Sequence, residues 1–306
     1  MSERYPTIRV HADDGELVVR DGIILCFFMR RSHHEVEQAL WNALQTYRHA
    51  IHPRTLNWYG SPEGDTLPLD DKGWEHIRER ILESPGAIGC QVELDELTGG
   101  TGGYNFEYHG VQLEDPFFAG NEGATSAVAF SFPTEYLLEH GPAHLRALAL
   151  ELARDLPFSF GYASFALVCP GSWFRVRRQL LPLLERYLGL DIYSLLNTSM
   201  VIGTRARGAY WLTFLGQPLL GELGGLEVLR QKLAFPAVTF EPLEGERVLL
   251  TLGEWPDAID TNQEPLVPHL RTLARLLEPF LCVDKIALTS LLDKQSIQRW
   301  LRRLCP

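Results

Sequence analysis

The stretch that decides the fold is Leu17–Met29, LVVRDGIILCFFM, which is apolar and contains several β-branched residues. Such a run predicts a strand that lies buried in the core. Asp21-Gly22 divides the run, and this pair commonly forms the two-residue turn of a hairpin. We therefore expect either a hairpin or a bulged strand here.

A helix is predicted directly after this strand. Ser32 and Glu35 have the spacing of a capping box, in which a serine begins a helix and a glutamate three residues later closes its first turn. Apolar side chains then recur at helical spacing, at Val36, Leu40, Ala43, Leu44 and Tyr47. Helical and strand-like segments alternate along the rest of the chain, which predicts an α+β fold of mainly antiparallel sheets with packed helices.

A β-hairpin is predicted from two alternating stretches, residues 88–94 and 104–111. The connection between them contains Gly99-Gly100-Thr101-Gly102-Gly103. These glycines favour a turn, because they tolerate backbone conformations that other residues avoid. A phosphate-binding loop is not expected, since the run lacks the Lys-Ser/Thr ending and no helix follows it.

Two segments of the chain have the same order of features. Residues 125–168 and residues 209–252 each begin with a strand-like run, continue through a proline into a helix that pauses at glycine, and end in strand. This similarity suggests two related halves as a hypothesis. We expect an N-terminal α+β lobe over residues 1–170, with an acidic hairpin region, and a C-terminal α+β lobe over residues 171–306, with a basic helical tail over residues 290–304.

The composition is that of a globular protein that remains where it is made. Of its 306 residues, 45% are hydrophobic and 22% are charged. The N-terminus lacks the apolar segment of a secretory signal, and no apolar run approaches the roughly 20 residues that cross a bilayer. Five scattered cysteines without a CxxC pair favour a reduced, cytoplasmic chain. We expect no membrane association and no cofactor.

The charge is unevenly distributed along the chain. A net charge of −11 argues against general affinity for nucleic acid. No Lys or Arg occurs between Ile81 and Leu145, whereas this segment holds ten acidic residues, Glu83, Glu93, Asp95, Glu96, Glu107, Glu114, Asp115, Glu122, Glu135 and Glu139. An acidic segment of this kind suits a basic macromolecular partner, because complementary potentials accelerate encounter.

Catalytic motifs are weak in this sequence. Ser164 lies in a run that reads as continuous strand, and its flanking glycine spacing is wrong for a nucleophile elbow. The histidines near residues 33 and 50 lack a third ligand at a recognisable spacing. Glu93, Asp95 and Glu96 form a carboxylate cluster that would suit a divalent cation or acid/base catalysis, but a solvated strand end is the simpler interpretation.

Residues 205–225, RARGAYWLTFLGQPLLGELGG, carry a resemblance to a known family. Phe160-Gly161-Tyr162-Ala163 upstream is similar to the family's glycine-containing strand. Downstream, residues 251–256, TLGEWP, and Asp260-Thr261-Asn262 resemble its Gly-x-x-Pro and Asp-x-Asn region. The chain thus resembles the type VI secretion system immunity proteins, TsiV-like, over residues 15–282.

The resemblance implies a binding protein without an active site, which neutralises a cognate type VI effector toxin. Some members of the family are paired with nuclease effectors. We predict that the partner contacts the acidic hairpin region, at Glu93, Asp95, Glu96, Tyr104, Phe106, Glu107, Tyr108, Glu114 and Asp115. Alternate strand residues face inward, so only part of this set can reach a partner. The alternative functions are a metal-dependent or acid/base hydrolase, or a small-ligand sensor.

Overall fold

A computed structural model describes residues 7–83, 89–98, 101–169, 176–192, 194–262, 267–282 and 293–305. Within these ranges the chain forms twelve strands of a single sheet. They are β1 (Arg9–His11), β2 (Leu17–Met29), β3 (Trp58–Gly60), β4 (Thr66–Pro68), β5 (Gly89–Asp95), β6 (Asn105–Val111), β7 (Ser126–Pro133), β8 (Phe160–Val168), β9 (Asp191–Ile192), β10 (Leu212–Leu215), β11 (Val238–Leu243) and β12 (Arg247–Leu252).

Ten α-helices pack on this sheet in the described ranges. They are α1 (His33–Ala50), α2 (Asp71–Leu82), α3 (Thr134–His140), α4 (Pro142–Ala153), α5 (Arg177–Arg186), α6 (Leu195–Ser199), α7 (Leu219–Glu222), α8 (Gly225–Lys232), α9 (Pro268–Leu277) and α10 (Lys294–Leu301). Two short 3-10 helices lie at Pro116–Phe118 and Glu278–Phe280. None of the described helices has both the length and the apolar character needed to cross a bilayer.

The strand order is β11-β12-β10-β8-β2-β7-β6-β5-β3-β4, with β1 added to β2 and β9 added to β8. Every pairing is antiparallel except that of β8 with β9. The predicted α+β fold of mainly antiparallel sheet with packed helices is confirmed. Strand β8 of the first predicted lobe pairs with β10 of the second, so one sheet includes strands from both predicted lobes. The division into lobes stays a prediction.

The central strand β2 corrects the reading of Asp21-Gly22 as a turn. β2 continues without interruption from Leu17 to Met29 and pairs with β7 on one side and β8 on the other. A Cβ atom at Gly22 would lie 2.9 Å from a methyl group of Val168 and 3.0 Å from the carbonyl oxygen of Phe132. The glycine therefore permits close packing of the neighbouring strands. Asp21 is buried and accepts a hydrogen bond from the backbone N–H of Ile8 (2.7 Å).

Helix α1 begins where the sequence predicts and covers one face of the sheet. The backbone N–H of Ser32 donates to the Glu35 carboxylate (2.7 Å), which closes the first turn. Further along the helix, Tyr47 packs against Phe130 and Phe132 of β7, with ring centroids 5.3 and 5.1 Å away. The apolar stripe of α1 thus buries the aromatic side chains of this face.

Helix α6 lies on the opposite face of the sheet. The Ser199 hydroxyl is 3.0 Å from Nδ1 of His109 on β6. Tyr108 precedes His109 in the strand and is buried on the α1 side, where its hydroxyl meets the His33 ring (2.8 Å). Since successive side chains of a strand point to opposite faces, helices cover both faces of the sheet.

The two similar segments found in the sequence have the same element order. In the first, β7 is followed by α3, α4 and β8; in the second, β10 is followed by α7, α8 and β11. In each segment a single antiparallel strand separates the two linked strands, β2 in the first and β12 in the second. A relationship between two halves stays a prediction. Of the other predicted features, Gly99, Gly100 and residues 290–292 lie outside the described residues.

Candidate protein-interaction surface

The acidic hairpin, formed by β5 and β6, places three carboxylates on one face. Glu93 lies directly opposite Glu107, and Asp95 lies opposite Asn105. Alternation along each strand puts Glu93, Asp95 and Glu107 on the face that also carries His109. The predicted hairpin is confirmed, and its register brings together three of the predicted site residues.

The carboxylates of the acidic hairpin oppose one another's ionisation. Burial, and then the negative charges of Glu93 and Asp95, raise the pKa of Glu107 to about 8. Burial also raises the pKa of Asp95 to about 6, with a smaller contribution from Glu93, although the Asn105 amide donates to its carboxylate (2.8 Å). At neutral pH the hairpin therefore carries less negative charge than its sequence indicates.

Glu96, which follows β5, is engaged within the protein. Its carboxylate lies 3.6 Å from the Arg54 guanidinium and accepts a weak hydrogen bond from the backbone N–H of Tyr104 (3.3 Å). Arg54 is exposed, so the pair sits at the surface. The charge of Glu96 is partly offset, which further reduces the negative potential of this end of the hairpin.

The three predicted aromatic anchors lie in the core. Phe106 and Tyr108 are fully buried on the face covered by α1, and Tyr104 is only 8% exposed. Phe106 packs on Phe130 of β7, and the Tyr108 hydroxyl bonds with His33. This corrects the prediction that these side chains contact a partner, because the strand alternation turns them toward the helices.

The remaining predicted residues belong to the acidic loop, which we define as residues 112–124. Glu114 is exposed and accepts a hydrogen bond from the Ser32 hydroxyl (2.7 Å), a bond that lowers the pKa of its carboxyl. Asp115 accepts from the backbone N–H of Phe117 (2.8 Å) and so begins the 3-10 helix. With Glu122, these residues give the loop three carboxylates, none of which pairs with a Lys or Arg in the described part of the chain.

Phe117 is the surface residue that sequence reasoning missed. Its side chain is 67% exposed, more than any other large hydrophobic side chain in the described ranges. Phe118 beside it is buried and meets Phe117 edge to face, with ring centroids 5.0 Å apart. The pair Phe117-Phe118 gives no sequence signal that distinguishes the exposed ring from the buried one.

The carboxylates of the acidic hairpin lie near the start of β6, and the acidic loop follows the end of this strand. A strand advances about 3.3 Å per residue, so β6 separates its two ends by about 20 Å. An interface of ordinary size, about 800 Å² on each partner, can include both. The predicted site residues thus form two groups at the surface, instead of one continuous cluster.

The polar residues of the 205–225 motif serve the framework. Arg207 is fully buried and donates to the carboxylate of Asp191, the carbonyl of Ile192 and the hydroxyl of Tyr210. The Tyr162 hydroxyl donates to the same carboxylate (2.6 Å). These hydrogen bonds hold β8, β9 and the segment before β10 together, and they leave Arg207 inaccessible to a ligand.

The described residues contain no cluster typical of a metal site. No group of three or more His, Cys, Asp or Glu side chains in these ranges is placed to hold a metal ion. Ser164 donates to the carbonyl of Gly189 (3.1 Å) within the sheet. A cleft of about 720 Å³ includes Cys282, but burial raises the pKa of this thiol to about 11 and so keeps it protonated.

The fold is an α+β scaffold in which Arg207 and Asp191 belong to the framework and acidic side chains lie at the surface, an arrangement compatible with binding another protein. The chain belongs to the TsiV family, described as type VI immunity for VRR-NUC, whose model matches residues 39–304. The resemblance drawn from residues 205–225 is thereby confirmed, and the chain is a type VI immunity protein. No curated protein matches the sequence.

The fold is shared with a solved structure. The type VI secretion system protein PA0821 of Pseudomonas aeruginosa is similar over 100% of this chain and 89% of its own length, with a TM-score of 0.81. The two sequences are 19% identical. At this identity the likeness concerns the arrangement of strands and helices.

Proposed function

We propose that this chain neutralises a VRR-NUC effector by binding it, without chemical turnover. The match of the immunity family over residues 39–304 carries the proposal. A nuclease needs a basic surface to hold the phosphate backbone of its substrate. An acidic protein bound at that surface would exclude the nucleic acid, and opposite charges would also speed the encounter.

The proposed contact surface includes both acidic groups. Glu93, Asp95, Glu96 and Glu107 of the acidic hairpin, together with Glu114 and Asp115 of the acidic loop, belong to the segment that lacks Lys and Arg. A nuclease effector damages nucleic acid, so the protein that blocks it must be present in the same compartment. We therefore propose that the chain works in the cytoplasm.

The test is protection of a bacterial cell that produces the cognate effector. Co-expression of this chain should restore growth, and the two proteins should purify together as a stable complex. An effector of another class serves as the control, and the chain should not relieve its toxicity. Undiminished killing by the cognate effector, with folded chain present and no complex formed, would contradict the proposal.

A further inference from the structure

The acidic loop combines features of an interface anchor. Its most exposed apolar side chain, Phe117, is flanked in sequence by Glu114, Asp115 and Glu122. Interfaces concentrate their binding energy in a few well-placed residues, often aromatic, which a polar rim surrounds. Phe117 and its acidic neighbours have this arrangement.

The loop is held in place before any partner binds. The Arg30 guanidinium donates to the carbonyl of Ala124 (2.6 Å), and the Asn121 amide donates to the carbonyl of Met200 (3.2 Å). The backbone N–H of Leu113 donates to the Ser32 hydroxyl (2.9 Å). A side chain on a rigid support loses less conformational entropy on binding than one on a loose loop.

Phe117 contacts a small apolar cluster through its neighbour Phe118. Phe118 packs there with Val111 and Ala124, and Leu113 and Met200 add partly buried surface. This cluster is separate from the main core. Phe118 occupies this cluster, and the neighbouring ring of Phe117 is exposed to solvent, where another molecule can contact it.

The charge of the loop is better preserved at neutral pH than that of the hairpin. The bond from the Ser32 hydroxyl lowers the pKa of Glu114, so this carboxylate is ionised, whereas the pKa of Glu107 is raised to about 8. The Glu96 charge is also offset by Arg54. The loop end of β6 therefore keeps the negative charge of Glu114 at neutral pH, with the Arg30 guanidinium beside the other end of the loop.

We propose that the acidic loop is the anchor of the effector interface, with Phe117 inserted into an apolar recess of the nuclease and Glu114 and Glu122 facing basic side chains around it. This inference rests on the proposed function and specifies the surface that performs it. Charge complementarity between the loop and a nucleic-acid-binding surface identifies the occupant.

The experiment compares two single substitutions at opposite ends of β6. Phe117→Ala removes the proposed anchor, and Leu97→Ala removes a 49% exposed apolar side chain beside the acidic hairpin. Affinity for the purified effector is measured by calorimetry. Phe117→Ala should raise the Kd by about 30-fold, and Leu97→Ala should change it by less than about threefold. Phe117→Trp should retain most of the affinity, because it keeps an aromatic side chain at the anchor.

The possible outcomes separate this inference from the proposed function. Tight binding by Phe117→Ala would overturn the assignment of the anchor, while binding by the wild-type chain would still support the proposed function. A large loss only with Leu97→Ala would place the anchor at the hairpin instead. A wild-type chain that fails to bind the effector would contradict the proposed function, and this inference with it. Circular dichroism checks that all three variants are folded.

Discussion

The guanidinium of Arg207 and the carboxylate of Asp191 form an ion pair in which both side chains are completely buried. Tyr162 and Tyr210 stack beside them, with ring centroids 4.0 Å apart, and each hydroxyl bonds to a member of the pair. A buried charge is tolerated only when its partners are present. The pair therefore fixes the short strand β9 against β8.

Removing one member of this pair should cost more than removing an exposed ion pair. Asp191→Ala leaves Arg207 without its counter-charge and should lower the free energy of unfolding by about 3 to 5 kcal/mol. The control is Glu227→Ala, which removes an exposed ion pair with Arg230 and should lower the free energy of unfolding by about 0.5 kcal/mol or less. Urea denaturation measures both. Equal losses would show that Asp191 does not have this structural role.

The C-terminal helix α10 should be part of the folded core in spite of its basic composition. Trp300 is 6% exposed, and the Arg303 guanidinium lies 3.8 Å from the centre of its ring. Trp300→Ala should lower the free energy of unfolding by about 3 to 5 kcal/mol. The neighbouring exposed Arg299→Ala should change it by about 0.5 kcal/mol or less. Thermal unfolding at one pH compares the two stability losses. A loss for Trp300→Ala as small as that for Arg299→Ala would contradict the prediction.

The contribution of Glu107 to stability should decline as the pH rises through the neutral range. The pKa of Glu107 is raised from an ordinary 4.5 to about 8 by burial and by Glu93 and Asp95. Below about pH 4.5 the carboxyl is protonated in both states, so its effect is constant. Between about pH 4.5 and 8 the unfolded chain loses this proton and the folded chain retains it, so the free energy of unfolding decreases with pH.

Glu107→Gln should remove the part of the pH dependence that Glu107 contributes, while Asp95, whose pKa is raised to about 6, still contributes between about pH 4 and 6. The variant should match the wild-type chain near pH 4 and exceed its free energy of unfolding by about 2 kcal/mol near pH 9. Glu93→Gln, which removes a neighbouring negative charge, should move the upper end of the slope to lower pH. Urea denaturation across this pH range gives the answer. An unchanged slope in Glu107→Gln would assign the dependence to other groups.

Association with the effector should depend on salt through the acidic loop. Replacing both Glu114 and Glu122 with lysine should slow association about tenfold at low ionic strength, and the difference should shrink near 0.5 M salt because mobile ions screen the charges. Replacing both Glu227 and Glu244 with lysine, which reverses two exposed charges on α8 and between β11 and β12, is the matched control. Stopped-flow measurements distinguish the two, and equal rates for both variants would exclude electrostatic guidance by the loop.

The sequence predicted those helices and strands that are determined by contacts between residues close together in the chain. Ser32 and Glu35 mark the start of α1 because both ends of their hydrogen bond lie within one turn. The β5–β6 pair follows from alternation and a glycine-rich connection. The hairpin alternative for Asp21-Gly22 is wrong, because the reason for this glycine lies in its packing against Val168 and Phe132, which are distant in sequence.

Of the properties of the candidate surface, only its negative charge could be predicted from the sequence. The absence of Lys and Arg between Ile81 and Leu145 is visible in the sequence, and it indicates an acidic face. Which aromatic side chain reaches solvent depends on the register of β6 and on the helix packed against it. Phe106 and Tyr108 are therefore buried. Of the pair Phe117-Phe118, Phe118 is buried and Phe117 is exposed. The Arg207–Asp191 pair likewise joins residues 16 positions apart.

The most direct measurement is the nuclease activity of the purified VRR-NUC effector as this chain is added in increasing amounts. Cleavage of DNA should decline in proportion to the added chain and stop once the effector is saturated, with the chain recovered chemically unchanged. Full cleavage in the presence of excess folded chain would contradict neutralisation of the effector by binding.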